Sequence, residues 1–292
     1  MEITASMVKE LRETSGAGMM DCKKALSECN GNMEEAMNYL REKGIAKSAK
    51  KESRIAAEGL ANIFVEGNKA VILEVNSETD FVSKNEEFIN MTDIIGTSLL
   101  KSNAKTIEEA MEVETPNGKI ADYIISMIAK IGEKLSLRRF EIVEKSDDEV
   151  FGKYLHMGGK IAALTVVKGV SEDIAKDVSM QAAAMKPMYL NIESVPSEVV
   201  ESERKIQKEL AMNEGKPADI AEKMVDGRIK KFYKEVCLVE QPFVKDSDLS
   251  VAQFVANNGG EVLKMIRYEV GEGMEKRNDN FAEEVMNQVK GN

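Results

Sequence analysis

Histidine, tryptophan and cysteine are scarce in this chain of 292 residues. It has one His, no Trp and three Cys, and none of the cysteines forms a CxxC pair. A single His excludes a metal site built from several His ligands, and Cys22, Cys29 and Cys237 are spaced neither like a zinc site nor like a disulfide framework. We therefore expect no metal and no cofactor. So few cysteines suit a reducing compartment such as the cytoplasm.

Long apolar runs and an excess of positive charge are also missing. No uninterrupted apolar stretch approaches the roughly 20 residues that cross a bilayer, and the N terminus lacks the basic and apolar regions of a secretory signal. Asp and Glu outnumber Lys and Arg by 51 to 40, which gives a net charge of −11. Nucleic-acid binding needs clustered Lys and Arg. We predict a cytoplasmic protein that binds neither a membrane nor, directly, a nucleic acid.

What the chain does contain is a succession of helix and strand patterns that predicts an α+β multidomain protein. Residues 1–54 read as a three-helix domain and a linker, with a helix stripe of Cys22, Ala25, Leu26 and Cys29 at i, i+3, i+4, i+7. Asn32 is the predicted N-cap of the third helix, and Gly44 is expected to end it.

Two α+β core subdomains with a similar pattern are predicted next. Residues 55–145 hold a hairpin around residues 66–68, a helix capped at Ser83, a further helix and a strand. The capped helix has an apolar stripe of Phe88, Met91, Ile95 and Leu99. Residues 146–195 and 236–266 repeat the hairpin and helix and add a returning strand. Residues 196–235 predict a protruding antiparallel helical hairpin, and residues 267–292 a C-terminal helical module.

For each of three features, the sequence allows either a purely structural role or a functional one. Phe81 either tucks under the following helix near Phe88 or is presented beside the carboxylate of Asp80 on a rigid loop, as interface anchors are. The loop before the second helix contains two Met residues that either cover the small core or form a docking surface. His156 is more simply a hydrogen-bonded surface residue of a hairpin. No catalytic constellation can be assembled around it, so we expect that the protein is not an enzyme.

Several motifs resemble the bacterial elongation factor Ts family, and the resemblance covers essentially the whole chain. The first is at residues 11–26 (LRETSGAGMMDCKKAL) and the second at residues 74–82 (EVNSETDFV). Shorter matches are at residues 221–225 (AEKMV) and 267–273 (RYEVGEG). Lys84 departs from the family, which commonly has Arg there.

The resemblance implies a guanine-nucleotide exchange factor that binds elongation factor Tu with GDP, promotes GDP release and allows GTP reloading. The N-terminal domain would then be ubiquitin-associated-like. The implied partner-binding residues are Met19, Met20 and Lys23, which grip the G domain; Thr79, Asp80, Phe81 and Val82, which lie near the partner's magnesium and phosphate site; and His156, which docks on another domain.

Other functions remain open at the level of sequence. The three-helix domain can be an adaptor that binds a ubiquitin-like or peptide partner, and a hydrolase would have to use Cys22 or His156. The helical hairpin either extends the contact with elongation factor Tu or lets the chain associate with itself.

Overall fold

The computed structural model describes residues 3–275, which fall into two compact units. The first comprises residues 3–64, 73–142 and 269–275, and the second residues 65–72 and 143–268. Helices and small sheets alternate along the chain, so the predicted mixed α+β class is confirmed. Of the C-terminal helical module predicted at residues 267–292, residues 276–292 lie outside the described residues.

The first unit begins with three helices, α1 (Ala5–Ser15), α2 (Met19–Glu28) and α3 (Met33–Ala49). Asn32 caps α3 by accepting hydrogen bonds from the backbone N–H groups of Glu34 and Glu35, as predicted. The three helices share an apolar core that includes Leu11, Cys22, Ala25, Leu26 and Ala36, all fully buried. The predicted stripe of α2 therefore faces this core.

The prediction that Gly44 ends α3 is wrong. The helix continues to Ala49 through a buried Gly44. At this point α3 packs against a later helix, α7 (Ile120–Ile131), with room for a small side chain. A Cβ atom on Gly44 would lie 3.6 Å from Ile125 and 3.7 Å from Ala129. Helix packing thus outweighs the unfavourable helix propensity of glycine.

A three-stranded sheet in the order β1-β2-β5 forms the centre of the rest of this unit. Its strands are β1 (Glu58–Glu66), β2 (Lys69–Ser77) and β5 (Ser136–Glu144). Between β2 and α7 lie the helices α4 (Asp80–Ser83), α5 (Glu86–Leu100) and α6 (Ile107–Met111) and the short strands β3 (Glu114–Thr115) and β4 (Gly118–Lys119). The predicted hairpin is confirmed.

The predicted helix start at Ser83 is wrong. Ser83 ends α4, whereas α5 is capped by Asn85, whose side chain accepts a hydrogen bond from the backbone N–H of Glu87. Ser83 and Asn85 are both residue types that cap helices, and the spacing of Ser83 and Glu86 favours Ser83, which is not the cap. As predicted, α5 buries Phe88, Met91, Ile95 and Leu99 on one stripe.

The second unit contains the antiparallel strands β6 (Glu149–His156) and β7 (Ile161–Lys168), followed by α8 (Glu172–Met185). After a helical hairpin come β8 (Pro242–Phe243), β9 (Asp246–Ser250), α11 (Val251–Asn257) and β10 (Glu261–Glu269). The sheet order β10-β7-β6 confirms the predicted returning strand. The apolar core of this second unit includes Val167, Val178, Ala182, Phe243 and Val255.

The helical hairpin consists of α9 (Ser197–Asn213) and α10 (Ala218–Val236). Arg204 pairs with Asp226 and Lys208 with Glu222, each at 2.6 Å. Because the partner number falls as the α9 number rises, the two helices run antiparallel, as predicted. Their contact buries Ala211, Ala221, Val225 and Ile229.

Candidate partner-binding site

Phe81 is one of the most exposed apolar side chains that the structure describes. Its exposed fraction is 84%, whereas Phe88, on the next helix, is completely buried. The interpretation in which Phe81 tucks under that helix near Phe88 is therefore wrong. The aromatic ring stands in solvent at the first turn of α4, beside Asp80.

Thr79 begins the turn that presents Phe81. It has extended backbone angles (φ −126°, ψ 156°), and its hydroxyl accepts a hydrogen bond of 3.4 Å from the backbone N–H of Val82. Asp80 accepts a hydrogen bond of 2.6 Å from Nζ of Lys84, one helical turn later. This pair is exposed, so an approaching partner can replace it at little cost. Val82 is half-buried.

Met19, Met20 and Lys23 occur together on the outer side of α2. The exposed fractions of the two Met side chains are 57% and 75%, and Lys23 is also exposed. The interpretation in which both Met residues cover the small core is therefore wrong. The backbone of Gly18 starts the helix without a side-chain cap. The result is a flexible apolar surface next to a positive charge.

His156 lies in the other unit, at the end of β6, where it pairs with Ile161 across the hairpin. Its side chain is exposed and stacks on Tyr154, with ring centroids 6.1 Å apart. The exposed residues on either side are Leu155 (46%) and Met157 (72%). His156 thus belongs to an exposed, partly apolar hairpin end.

Comparison with protein families places this site in context. The family model described as Elongation factor TS matches residues 78–272, which is more than half of the chain. The chain belongs to the elongation factor Ts family. Its function is therefore that of a translation elongation factor in nucleotide exchange, and its partner is elongation factor Tu. The match begins inside the second motif and includes Asp80, Phe81 and His156.

Within residues 3–275, no group of three or more His, Cys, Asp or Glu is arranged to hold a metal ion, and no helix has the length and apolar character needed to cross a membrane. Cys22 is buried in the three-helix core. Burial, with the charges of Glu240 and Glu193, raises the pKa of the Cys237 thiol to about 11, so it is not a ready nucleophile.

Sequence reasoning missed the residues that hold the Phe81 turn. Glu133 follows α7, and its carboxylate accepts hydrogen bonds from the backbone N–H groups of Glu78 and Thr79. Arg54, in the segment after α3, pairs with Glu78 at 3.2 Å. Glu133 and Thr79 are 54 positions apart, and no periodic pattern or motif in the sequence connects them.

Proposed function

We propose that this elongation factor Ts family member releases GDP from elongation factor Tu by inserting the turn of Asp80 and Phe81 near the partner's magnesium and phosphate site. The exposure of Phe81 on a capped turn is the observation that carries the proposal. Magnesium is the largest local charge at a nucleotide site and bridges the phosphates to the protein. Displacing the elements that hold it therefore weakens nucleotide binding.

Exchange of this kind is a coupling between two binding events. A factor that binds the nucleotide-free partner more tightly than the nucleotide-bound one must lower the affinity for nucleotide by the same factor. GTP in excess then reloads the partner and releases the factor. No covalent step is involved, and we propose that the chain is not an enzyme and needs no cofactor.

The other predicted residues would supply docking. Met19, Met20 and Lys23 grip the G domain, since Met side chains adapt to a partner surface and the ammonium group adds charge complementarity. His156 and its apolar neighbours dock on another partner domain. We assign the three-helix part, of ubiquitin-associated-like type, to grip and the two α+β subdomains to the core of the contact, with a C-terminal helical module completing it. The site of action is the cytoplasm.

Self-association through the helical hairpin is a second part of the proposal. Its exposed apolar side chains are Ile206, Leu210, Met212 and Ile220, with exposed fractions of 45–49%. Sedimentation of the chain with and without Leu210→Glu and Ile206→Glu would detect it. A monomer at every concentration would refute it.

Release of a fluorescent GDP analogue from elongation factor Tu tests the main proposal. The rate is measured against factor concentration for the wild type, for Asp80→Ala with Phe81→Ala, and for the control Ile89→Ala, which shortens another partly exposed apolar side chain. Loss of an aromatic anchor is worth roughly 1–4 kcal/mol, so the double variant should release the analogue at least about fivefold more slowly. The control should match the wild type.

The outcomes separate the function from the mechanism. If the wild type does not accelerate release, the exchange function is wrong for this chain. If the double variant is as fast as the wild type, the wedge is wrong and another surface must act. An adaptor function instead predicts that a ubiquitin-like protein binds the full chain and that Met20→Ala weakens this binding with no change in release.

A further inference from the structure

The carboxylate of Glu133 holds the backbone directly before Phe81. Its Oε2 atom accepts hydrogen bonds of 3.0 Å from the N–H groups of both Glu78 and Thr79, and its Oε1 atom accepts one of 2.7 Å from the Thr79 hydroxyl. Three donors on one carboxylate fix both the position and the direction of this backbone segment. Hydrogen bonds to a charged acceptor are stronger than neutral ones.

Glu78 makes the reciprocal contact. Its Oε1 atom accepts a hydrogen bond of 2.6 Å from the backbone N–H of Lys134 and one of 3.2 Å from Arg54. The Glu78 side chain is only 8% exposed, so these contacts are largely shielded from water. Residues 78–79 and 133–134 therefore bind each other through two carboxylates, each of which caps the other segment's backbone. We call this arrangement the carboxylate clamp.

The clamp matters because Phe81 has little else to orient it. α4 has only four residues, and a helix of that length is unstable without external contacts. With 84% of its surface exposed, the Phe81 side chain is held by few neighbours of its own. Its direction follows from the backbone of Thr79, the N-cap of α4, which is the residue that Glu133 contacts at both N–H and hydroxyl.

We propose that Glu133 is a positioning residue for nucleotide release: it fixes the turn that presents Phe81, so that the ring is already aimed when the partner docks. This inference rests on the proposed role of Phe81. Without Glu133 the turn would sample several directions, and the partner would have to select one of them. Such a loss of preorganisation lowers the rate of the step that Phe81 promotes more than it weakens docking.

The test uses substitutions of Glu133 that differ in hydrogen-bonding capacity. Glu133→Ala removes every acceptor. Glu133→Gln retains an oxygen that can accept from both N–H groups, and its amide N–H can donate to the Thr79 hydroxyl, so it should restore the clamp. Glu133→Asp keeps the charge but shortens the side chain by one methylene. Glu112→Ala, which removes an exposed ion pair with Lys119, is the matched control.

Nucleotide release is measured at increasing factor concentrations for each variant, also in a Phe81→Ala background. For Glu133→Ala we expect the maximal rate to fall about tenfold, with the half-saturating concentration changed less than about threefold, because misplacing a reacting group is costly while docking surfaces stay intact. Glu133→Gln and Glu112→Ala should remain close to the wild type. In the Phe81→Ala background, Glu133→Ala should cause no further loss, since both changes act through the same ring.

Hydrogen exchange supplies a readout that does not depend on exchange activity. The N–H groups of Glu78 and Thr79 should exchange much faster in Glu133→Ala and stay protected in Glu133→Gln. If Glu133→Ala does not fold, as judged by circular dichroism, Glu133→Asp takes its place and should show the same loss in smaller measure.

The results that overturn the inference are distinct from failure of the proposed function. A wild type that does not accelerate release rejects the proposed function, and with it the role given to Glu133. A functional wild type with an unaffected maximal rate in Glu133→Ala, or with equal further loss in the Phe81→Ala background, rejects the positioning role alone. So does a Glu133→Gln variant that keeps the N–H groups of Glu78 and Thr79 protected but releases nucleotide as slowly as Glu133→Ala, because a correctly held turn would then not be what sets the rate.

Discussion

Replacing Glu74 with Gln should destabilise the first unit markedly at neutral pH. Glu74 lies on β2 and is completely buried, yet it is surrounded by donors. Its Oε1 atom accepts from the side chains of Asn76 and Arg138 at 3.0 Å and from the N–H of Gly271 at 2.9 Å. Its Oε2 atom accepts from Nε of Arg139 at 2.6 Å. One carboxylate thus joins two strands to the chain beyond β10.

Gln keeps the volume of Glu74 but must place an amide N–H₂ group where one oxygen was. In one orientation this group faces Nε of Arg139, and in the other it faces the N–H of Gly271. Either way two donors oppose each other and the attraction to two guanidinium groups is lost. The Arg138 and Arg139 side chains are 25% and 29% exposed, so water can replace part of the lost interaction.

These contacts determine how much stability the substitution removes. A hydrogen bond to a charged group contributes about 1.5–3 kcal/mol, and breaking a fully buried ion pair costs about 3–5 kcal/mol. With the two arginines partly hydrated, we expect Glu74→Gln to lower the free energy of unfolding by about 2–3 kcal/mol. At about 2–4 °C per kcal/mol, that corresponds to a fall in Tm of roughly 4–12 °C. Circular dichroism follows the transition, and Glu112→Gln, at an exposed ion pair, should leave it unchanged.

The pH dependence of the free energy of unfolding independently tests whether the Glu74 carboxylate stabilises the fold. Burial raises the pKa of Glu74, but the hydrogen bonds from Gly271, Asn76 and Arg138 and the charge of Arg139 together lower it below its ordinary value. A lowered pKa in the folded state means that the carboxylate stabilises the fold above the unfolded-state pKa of about 4.3, and that this stabilisation disappears as the pH falls through the folded-state pKa. The wild type and Glu74→Gln should therefore differ most at neutral pH and converge in acid. Equal stability at pH 7, or a difference that does not shrink in acid, would refute this account.

Two further predictions concern glycine and cysteine. Gly44→Ala should raise the free energy of unfolding by about 0.5–1 kcal/mol because it removes a helix-interior Gly where a Cβ atom fits. Gly96→Ala, the matched change on α5, would bring a Cβ atom to 2.0 Å from the ring of Phe64 and should cost about 1–3 kcal/mol, and urea unfolding of both variants tests the contrast. In a thiol-labelling experiment at pH 8, Cys237 should react only on unfolding because its pKa is about 11, whereas Cys29 is partly accessible and should react first. Rapid labelling of Cys237 in the folded protein would contradict this.

The helices and strands with regular apolar spacing could be predicted from the sequence. The stripe of α2 and that of α5 are both buried as expected, and the strand that returns to the second sheet lies beside β7. In these segments local pattern and tertiary burial agree, so the pattern alone suffices. The Asn32 cap is equally local, because its acceptor and donors lie within three positions.

The errors occur where tertiary contacts outweigh a local preference. Gly44 is expected to stop α3, but the packing of α3 on α7 carries the helix past it. Whether Phe81 and Met20 are covered depends on elements far away in the sequence, so both interpretations were equally compatible with the local pattern. Glu133 was not predicted at all, since its contact with Thr79 connects segments that share neither a repeat nor a motif.

The three helices and the Phe81 turn are both fixed to α7, and this gives the first unit a rigidity that exchange would need. On one side, α3 packs on α7 at Gly44, and Arg41 binds Asp122 at 2.9 Å. On the other side, Glu133, two residues beyond the end of α7, holds Thr79. In the proposed mechanism, a grip and a wedge joined by flexible segments would lose binding energy to motion between them, whereas a shared helix would let docking energy act on the partner's nucleotide site. The same reasoning accounts for the partly buried carboxylates of Glu78 and Glu133, which hold the backbone before an exposed Phe81 ring: in the proposed mechanism, the part that moves is in the partner.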